Sequence, residues 1–263
     1  MIDQRGEIAF NRRVGENTYL VGLNCPRIVT MARPGQFVML RMGSGYDPLL
    51  RRPFSICGTR GDLILVLYDV VGRGTNALST IEAGNRVTVL GPLGKGFVFG
   101  TDHRMPLLVA GGIGIAPLLY LTQTMAEKRY RLLAGFRTAA AIIDGRATGG
   151  ELIDVTIATD DGTEGHHGPV TDLLEEHLAA SASRGNSPIV YACGPKGMLK
   201  KVAAMTLTNG IACQVSLEAH MACGLGACQG CAVKATAREE RSYYHVCADG
   251  PVLPARAVDW DRF

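Results

Sequence analysis

Four cysteines near the C-terminus constrain this chain more than any other feature of its sequence. Cys223, Cys228 and Cys231 are separated by four and then two residues, and fifteen residues lie between Cys231 and Cys247. Thiolates are soft ligands that suit zinc or iron–sulfur centres. The spacing is that of plant-type [2Fe–2S] ligands, whose fourth cysteine lies further along the chain. The sequence therefore predicts a loop that wraps a cluster and a protein that carries single electrons.

Glycines in the same loop favour a cluster over the two alternatives, a zinc site and a pair of disulfides. Gly224, Gly226 and Gly230 let the backbone curl closely around a cofactor, because glycine tolerates positive φ. Zinc sites more often use two short cysteine pairs or mixtures with histidine. We expect the scattered cysteines to be small buried hydrophobes, with Cys193 as the exception. These scattered residues are Cys25, Cys57, Cys193 and Cys213.

The composition is that of an ordinary soluble protein with room for two domains and a small addition. The chain has 263 residues and a formal net charge of +3, which is too small and dispersed to predict nucleic-acid binding. No apolar stretch approaches the roughly 20 residues of a membrane span. The first residues lack the apolar core of a signal peptide. We expect a cytoplasmic protein, in which iron-ligating thiols stay reduced.

The hydrophobic pattern changes along the chain and predicts three domains, over residues 1–100, 101–212 and 213–263. In the first, short strands alternate with Gly, Pro and Asn turns, which predicts a sandwich or barrel, with one helix over Thr75–Glu82. In the second, strands alternate with helices, as in a parallel α/β sheet. The predicted strands begin at Leu107, Arg131, Val155 and Ile189, with a last one at Cys213 just past the boundary, and the helices span Ile115–Lys128, Val170–Ala182 and Lys196–Asn209. The third is rich in Cys and Gly.

Two strings in the first domain have residue types that suit a phosphorylated ligand. Arg52, Pro53, Phe54 and Ser55 combine a guanidinium that can meet a phosphate with an extended, proline-fixed backbone. An ordinary strand preceded by a basic residue explains this string equally well. Gly74 and Thr75 open the predicted helix, where exposed amides can bind phosphate. A plain turn with Thr75 as the N-cap is the alternative there.

The second domain contains two glycine motifs at the ends of strands. Gly111, Gly112 and Gly114 follow a strand and open a helix, which is the context that a dinucleotide-binding loop requires. The sequence Cys193-Gly194-Pro195 follows a later strand, and ligands of open α/β sheets bind at the carboxyl ends of strands. Cys193 is thus a candidate to lie beside a nicotinamide, with a buried core thiol as the alternative. His166 and His167 lie in a Gly-rich loop without a third ligand at a recognisable spacing, so we expect a solvated pair.

The order of these motifs resembles that of the ferredoxin reductase-type flavoproteins. The family has a flavin barrel with R-P-F-S, a nucleotide domain with A-G-G-I-G-I-A-P, and then C-G-P. The added cysteine-rich tail, with the string from Ser216 to Cys228, makes the whole chain similar to electron-transfer subunits of type B dihydroorotate dehydrogenase. The resemblance implies an α+β multidomain protein: an antiparallel β-barrel that binds FAD, a Rossmann-like parallel α/β domain that binds NAD(H), and a small [2Fe–2S] domain.

The resemblance also assigns residues and a partner. Arg52, Pro53, Phe54 and Ser55 would contact FAD, with Gly74 and Thr75 at its diphosphate and Leu67, Tyr68 and Asp69 along the flavin. Gly111, Gly112, Gly114, Cys193, Gly194 and Pro195 would serve NAD(H), and Cys223, Cys228, Cys231 and Cys247 would hold the cluster. Relatives often carry a basic residue where this chain has Asp69, and Arg where it has His220. The partner would be an FMN-containing catalytic subunit that oxidises dihydroorotate, in a heterotetramer with two copies of each subunit.

Three other classes of protein share parts of this pattern. Reductase subunits of ferredoxin:NADP or sulfide oxidoreductases typically have Asp in place of the first cysteine, whereas this chain has Cys223. One-component dioxygenase reductases end in a complete ferredoxin domain, for which the tail is too short. A zinc-stapled nucleotide-binding regulator would be colourless. No basic cluster follows Phe136 apart from Arg137, which favours NADH over NADPH.

Overall fold

The first part of the chain forms a closed six-stranded antiparallel barrel. The computed structural model describes residues 1–43, 45, 49–99, 104–125, 129–143, 154–183, 185 and 187–263. The barrel strands are β1 (Ile2–Arg13), β2 (Thr18–Asn24), β3 (Phe37–Arg41), β4 (Arg52–Arg60), β5 (Leu63–Asp69) and β6 (Arg86–Leu93). They are arranged in the order β1-β2-β5-β4-β3-β6, and β1 closes the barrel by pairing with both β2 and β6. The predicted FAD-type barrel is thus confirmed as a fold.

Two short helices accompany the barrel, α1 (Pro26–Val29) and α2 (Arg73–Ser79). The helix predicted over Thr75–Glu82 therefore begins two residues earlier, after Gly72. Thr75 is not its N-cap but lies one turn inside, where its Oγ1 accepts hydrogen bonds from the amides of Val71 at 2.9 Å and Gly72 at 3.1 Å. The side chain thus supplies an acceptor to two amides that immediately precede the helix.

The second part forms a sheet with helices on both faces, as predicted. Its elements are β7 (Pro106–Gly111), α3 (Ile115–Thr124), β8 (Arg131–Phe136), β9 (Val155–Thr159), β10 (His166–His167), α4 (Val170–Ser183), β11 (Ile189–Cys193), α5 (Lys196–Thr208) and β12 (Cys213–Ser216). Strands β10, β9, β8, β7, β11 and β12 lie side by side in that order, and all of them are parallel. The end of the predicted helix Ile115–Lys128 falls on residues 126–128, which lie outside the described residues.

The C-terminal part forms a small hairpin and then returns to the sheet. Strands β13 (Ala232–Lys234) and β14 (Tyr243–His245) pair with each other, and β15 (Val252–Pro254) pairs antiparallel with β12. Strands β12 and β15 therefore extend the nucleotide-domain sheet beyond residue 212. The domain bounds at residues 100 and 212 remain a prediction.

Helix α3 joins the barrel to the sheet. Its residues from Ile115 to Thr122 are all buried, because the helix packs on the sheet on one side and on β4 on the other. Two side chains of α3 also form hydrogen bonds to the barrel: Tyr120 Oη donates to Ala32 O at 3.0 Å, and the amide of Thr59 donates to Gln123 Oε1 at 3.3 Å. Each fully buried aliphatic side chain contributes about 1.5–3 kcal/mol. The two parts are thus held in one fixed orientation. Within the described residues, no helix is long and apolar enough to cross a membrane.

Candidate functional site

A cleft of about 350 Å³ opens where the barrel faces the sheet, and we call it the barrel cleft. Seven of the nine residues predicted to contact FAD line it: Pro53, Phe54, Ser55, Leu67, Tyr68, Asp69 and Thr75. The other two contact each other beside it, since a methyl group added to Gly74 would lie 3.1 Å from Arg52 Cγ and Nε. The string that begins at Arg52 forms the first half of strand β4.

Aromatic rings form a rigid wall of the barrel cleft. Tyr68 stacks on Tyr19 with ring centroids 5.7 Å apart, and Phe54 meets Tyr68 edge-on at 5.8 Å. Tyr68 Oη donates to Asn11 Oδ1 at 3.0 Å. Burial raises the pKa of Tyr68 to about 12, although the hydrogen bond to Asn11 lowers it in part. The phenol therefore stays neutral, and the wall presents flat apolar surface of the kind that a flavin ring requires.

A second cleft of about 550 Å³ lies at the carboxyl ends of the sheet strands, and we call it the sheet cleft. Five of the six residues predicted to serve NAD(H) line it: Gly111, Gly112, Gly114, Gly194 and Pro195. Gly112 has φ of +52°, a conformation that side chains rarely adopt. A methyl group on Gly114 would lie 2.5 Å from Cys193 O, so the turn after β7 and the turn after β11 touch through bare backbone.

The sixth predicted residue, Cys193, does not line the sheet cleft, although its carbonyl lies against Gly114. The thiol is 1% exposed and packs in the core behind the turn. Burial raises the pKa of Cys193, and the negative charge of Glu218 raises it further. The thiol is thus near Glu218 but remains protonated. A position beside the nicotinamide stays a prediction for this residue.

The two clefts meet at four residues that line both of them: Asp69, Val71, Ile113 and Glu218. Thr18 Oγ1 donates to Asp69 Oδ1 at 2.6 Å and fixes that carboxylate. Glu218 is solvent-exposed as a residue, but the cleft walls partly desolvate its carboxyl and so raise its pKa, with a further contribution from Asp69. Val71 is 84% exposed, which leaves its side chain available to pack on a ligand.

Sequence reasoning missed Val71 and Glu218. Val71 lies in the string Val71-Gly72-Arg73-Gly74, and Glu218 lies five residues before Cys223. The only sign of a functional role in the sequence is that each residue lies close to a motif, the string at Gly74 or the cysteine loop at Cys223. Asp69, where relatives often carry a basic residue, lies at the junction of the two clefts.

The four predicted cluster ligands lie together as two pairs. Cys231 Sγ and Cys247 Sγ are 3.2 Å apart, and both residues are buried. Cys223 interacts with the Cys228 side chain, and these two residues are more exposed. Among the described residues, no three His, Cys, Asp or Glu side chains are close enough to hold one metal ion. Two pairs of thiols suit a binuclear cluster, in which each iron takes two protein ligands, better than a single tetrahedral zinc.

Backbone amides point at the sulfur atoms. Leu225 N lies 3.3 Å and Cys228 N lies 3.4 Å from Cys223 Sγ, and Gly226 N lies 3.1 Å from Cys247 Sγ. Hydrogen bonds from the amides of Cys228 and Leu225 lower the pKa of Cys223 to about 6. Positive φ at Gly224 and Gly226 makes this inward curl possible. The loop therefore fits an anionic sulfur-rich group, because amides stabilise negative sulfur.

The cluster loop is continuous with the barrel cleft. Leu217, Ala219 and Met221 line the cleft, and Cys223 follows two residues later. Pro251 also lines the cleft, four residues after Cys247. A methyl group on Gly224 would lie 2.8 Å from Met39 Cγ, so the loop packs directly on strand β3. The cysteine loop thus adjoins the barrel cleft along the chain, and the barrel cleft shares four lining residues with the sheet cleft.

The remaining candidate residues lie elsewhere. His166 and His167 form the edge strand β10 rather than part of a loop, and His166 Nε2 is 3.7 Å from Asp172 Oδ2. Cys25 and Cys57 are fully buried in the barrel, as expected for small hydrophobes, and Cys213 is partly buried on β12. Burial raises the pKa of Cys57 and of Cys213 to about 12.

Two family models match the chain. Residues 218–259 match the iron–sulfur cluster binding domain of dihydroorotate dehydrogenase B, and residues 108–204 match the oxidoreductase NAD-binding domain. The first of these includes all four cysteines, which confirms the iron–sulfur interpretation over the zinc alternative. With the flavin reductase fold, the cofactors are FAD and a [2Fe–2S] cluster, and NAD(H) is a substrate.

Curated relatives and a solved structure match nearly the full chain. The electron transfer subunit of dihydroorotate dehydrogenase B (NAD(+)) from Desulforamulus reducens is 39% identical over 94% of this chain and 95% of the relative. The subunit of the same name from Caldanaerobacter subterraneus is 35% identical over 97% of both chains. A chain of the NADH-dependent reduced ferredoxin-NADP oxidoreductase structure has a TM-score of 0.84 and 29% identity, covering 97% of this chain and 90% of that one. The chain therefore belongs to the family of electron transfer subunits of NAD(+)-dependent dihydroorotate dehydrogenase B.

Proposed function

We propose that this chain transfers electrons between NAD(H) and a separate FMN-containing catalytic subunit that converts dihydroorotate to orotate in pyrimidine (UMP) biosynthesis. The two subunits would form a cytoplasmic complex with two copies of each. The observation that carries the proposal is the continuity of the three binding regions. Four residues line both clefts, and the segment that lines the barrel cleft leads directly into the first cysteine of the cluster loop.

The residues of the chain bind and orient the cofactors. Bound FAD supplies conversion between two-electron and one-electron transfer, and the cluster supplies one-electron transfer. Gly111, Gly112 and Gly114 admit the dinucleotide close to backbone amides, and Ile113 projects between the two clefts. Tyr68 and Phe54 would hold the flavin ring. Rigid walls of this kind would orient the bound cofactors, and such orientation removes much of the entropic barrier to transfer.

Two carboxyl groups, those of Glu218 and Asp69, lie where the sheet cleft meets the barrel cleft and set the charge at that point. Partial desolvation by the cleft walls and the nearby Asp69 raise the pKa of Glu218, so its carboxyl holds a proton more readily than an ordinary glutamate. It lies at the boundary where the nicotinamide and flavin rings would meet. We assign it the role of holding a proton beside the reacting rings, with Asp69 fixed by Thr18 as its electrostatic partner.

A second candidate function has one observation in its favour. The strong structural match to a ferredoxin-NADP oxidoreductase chain is compatible with a reductase subunit of that kind. Cys223 argues against it, because the sequence pattern of those subunits typically has Asp at this position. The full set of four thiols, arranged as two pairs, favours the dihydroorotate enzyme.

Copurification tests the proposed function directly. The chain is expressed together with a catalytic subunit of dihydroorotate dehydrogenase B, and the purified complex is assayed for FAD, FMN, iron and acid-labile sulfide. We expect dihydroorotate-dependent reduction of NAD⁺ by the complex, and only NADH-linked electron transfer by this chain alone. A complex that reduces ferredoxin with NADPH but does not respond to dihydroorotate would contradict the proposal and support the second candidate.

A further inference from the structure

Cys247 lies in the middle of a tight turn that must keep a fixed shape. The amides of Ala248 and Asp249 both donate to His245 O, at 2.9 and 2.8 Å. Val246 N donates to Cys231 O at 3.1 Å and so ties the turn to the other buried cysteine of the pair. The position of Cys247 Sγ relative to Cys231 Sγ thus depends on the geometry of residues 245–249.

The carboxylate of Asp249 closes this turn with both of its oxygens. Oδ2 accepts a hydrogen bond from the amide of His245 at 2.8 Å, and Oδ1 accepts one from Arg241 Nη1 at 2.7 Å. His245 Nδ1 is 3.5 Å from Oδ2. The Asp249 side chain is 21% exposed, so water screens these contacts less than it screens a surface ion pair. One side chain therefore joins the start of the turn, its end and the preceding hairpin.

The same turn leads into the barrel cleft. Gly250 O accepts a hydrogen bond from the amide of Lys95 at 2.5 Å, just beyond strand β6. Pro251 lines the cleft, and its carbonyl accepts from the amide of Leu217 at 2.9 Å. Asp249 thus lies between a cluster cysteine and the wall of the cleft that holds the flavin.

We propose that Asp249 is a positioning residue that holds Cys247 in register with Cys231 and fixes the cluster relative to the barrel cleft. The inference rests on the ligand set assigned to the four cysteines. Asp249 acts through the turn, since its oxygens are used by His245 and Arg241 and not by a sulfur atom. Its negative charge also lies two residues from a cluster ligand, where it disfavours adding an electron to the cluster.

The test compares Asp249→Ala and Asp249→Asn with the matched substitutions at Asp261, all in the complex with the catalytic subunit. Asp261 is also ion-paired, to Lys200 at 2.9 Å, but it is 90% exposed and belongs to the C-terminal tail. The readouts are iron per FAD, the rate of iron loss to a chelator, and the midpoint potential from a titration followed by electron paramagnetic resonance. FAD content reports folding.

For Asp249→Ala we expect iron loss to be about tenfold faster than in wild type, which corresponds to about 1.4 kcal/mol, with FAD content unchanged. Asp249→Asn preserves the shape and an oxygen for His245, so we expect it to keep its cluster with a more positive midpoint potential. If Asp249→Ala does not fold, the midpoint potential of Asp249→Asn still tests the inference. Chelation rates and potentials that match those of the Asp261 variants would overturn the inference.

Cys247→Ala separates failure of this inference from failure of the ligand assignment. We expect it to lose most of its iron. If Cys247→Ala loses the cluster while both Asp249 variants behave like wild type, the ligand set stands and the role of Asp249 is refuted. If Cys247→Ala keeps a complete cluster with an unaltered spectrum, the ligand set itself is wrong and the inference falls with it.

Discussion

Gly114→Ala should weaken NADH use without removing either cofactor. Gly114 lies at the end of the 3-10 turn that precedes α3, in an ordinary helical conformation with φ of −61°. A methyl group there would lie 2.5 Å from Cys193 O, 2.6 Å from Cys193 C and 2.6 Å from Gly194 Cα. All three are backbone atoms, so no side-chain rotation can relieve the contact. The substitution must instead separate the two turns that form the floor of the sheet cleft.

The size of the effect follows from that geometry. The backbone of residues 193 and 194 must withdraw by about 0.5 Å before the contact with Cys193 O reaches even 3.0 Å. Overpacking of this kind costs about 1–3 kcal/mol, and a displacement that approaches 1 Å in a binding site lowers rates by about 100-fold. We therefore expect kcat/KM for NADH to fall by about 10- to 100-fold, mostly through KM.

Gly197→Ala is the matched control. Gly197 lies on α5 just beyond the same pair of turns, and a methyl group there meets no heavy atom within 4 Å. Alanine favours a helix over glycine by about 1 kcal/mol, so this variant should be slightly more stable and fully active. The assay is stopped-flow reduction of bound FAD by NADH, followed through loss of flavin absorption. A Gly114→Ala variant that matches Gly197→Ala in kcat/KM would refute the assignment of the sheet cleft to NADH. Loss of FAD from Gly114→Ala would also refute this assignment, because the substitution would then have disturbed the barrel cleft rather than the sheet cleft.

Two further predictions concern charge and protonation. Asp160 lines the sheet cleft and should repel the 2′-phosphate of NADPH, so Asp160→Asn should reduce the preference for NADH by about tenfold in kcat/KM. The control is Asp161→Asn, a substitution at the neighbouring residue, which does not line the cleft. Equal coenzyme preferences in the two variants would contradict the assignment. Burial raises the pKa of Cys57 from 9.0 to about 12. The unfolded chain therefore loses this proton first, and the free energy of unfolding should fall as pH rises through that window. Denaturant titrations should show this fall in wild type and a flatter dependence in Cys57→Ala.

The secondary structure could be predicted wherever the hydrophobic pattern is local. The helix predicted over Lys196–Asn209 is Lys196–Thr208 in the structure, and the strand predicted from Arg131 is Arg131–Phe136. Runs of buried aliphatic residues between turn signals define such elements without reference to the rest of the chain. Strand β15 (Val252–Pro254) was not predicted, because three residues carry no periodicity and their pairing with β12 is long-range.

The site could be predicted to the extent that its residues lie in motifs. Five of six nucleotide residues and seven of nine flavin residues line the expected clefts, since glycine turns and strand ends fix where backbone is exposed. Val71 and Glu218 were missed because their role arises only where the barrel meets the sheet. The Cys193 thiol points into the core rather than the cleft, and no local pattern distinguishes these two orientations.

The central claim is that electrons pass between NAD(H) and the catalytic subunit through the cysteine loop. The most direct test is Cys223→Ala in the complete complex, with Cys213→Ala, a cysteine on β12 outside the loop, as the control. We expect Cys223→Ala to abolish dihydroorotate-dependent reduction of NAD⁺ while NADH still reduces the bound FAD at the wild-type rate. If Cys223→Ala loses its cluster and still couples dihydroorotate oxidation to NAD⁺ reduction as fast as the Cys213→Ala complex, the relay is contradicted.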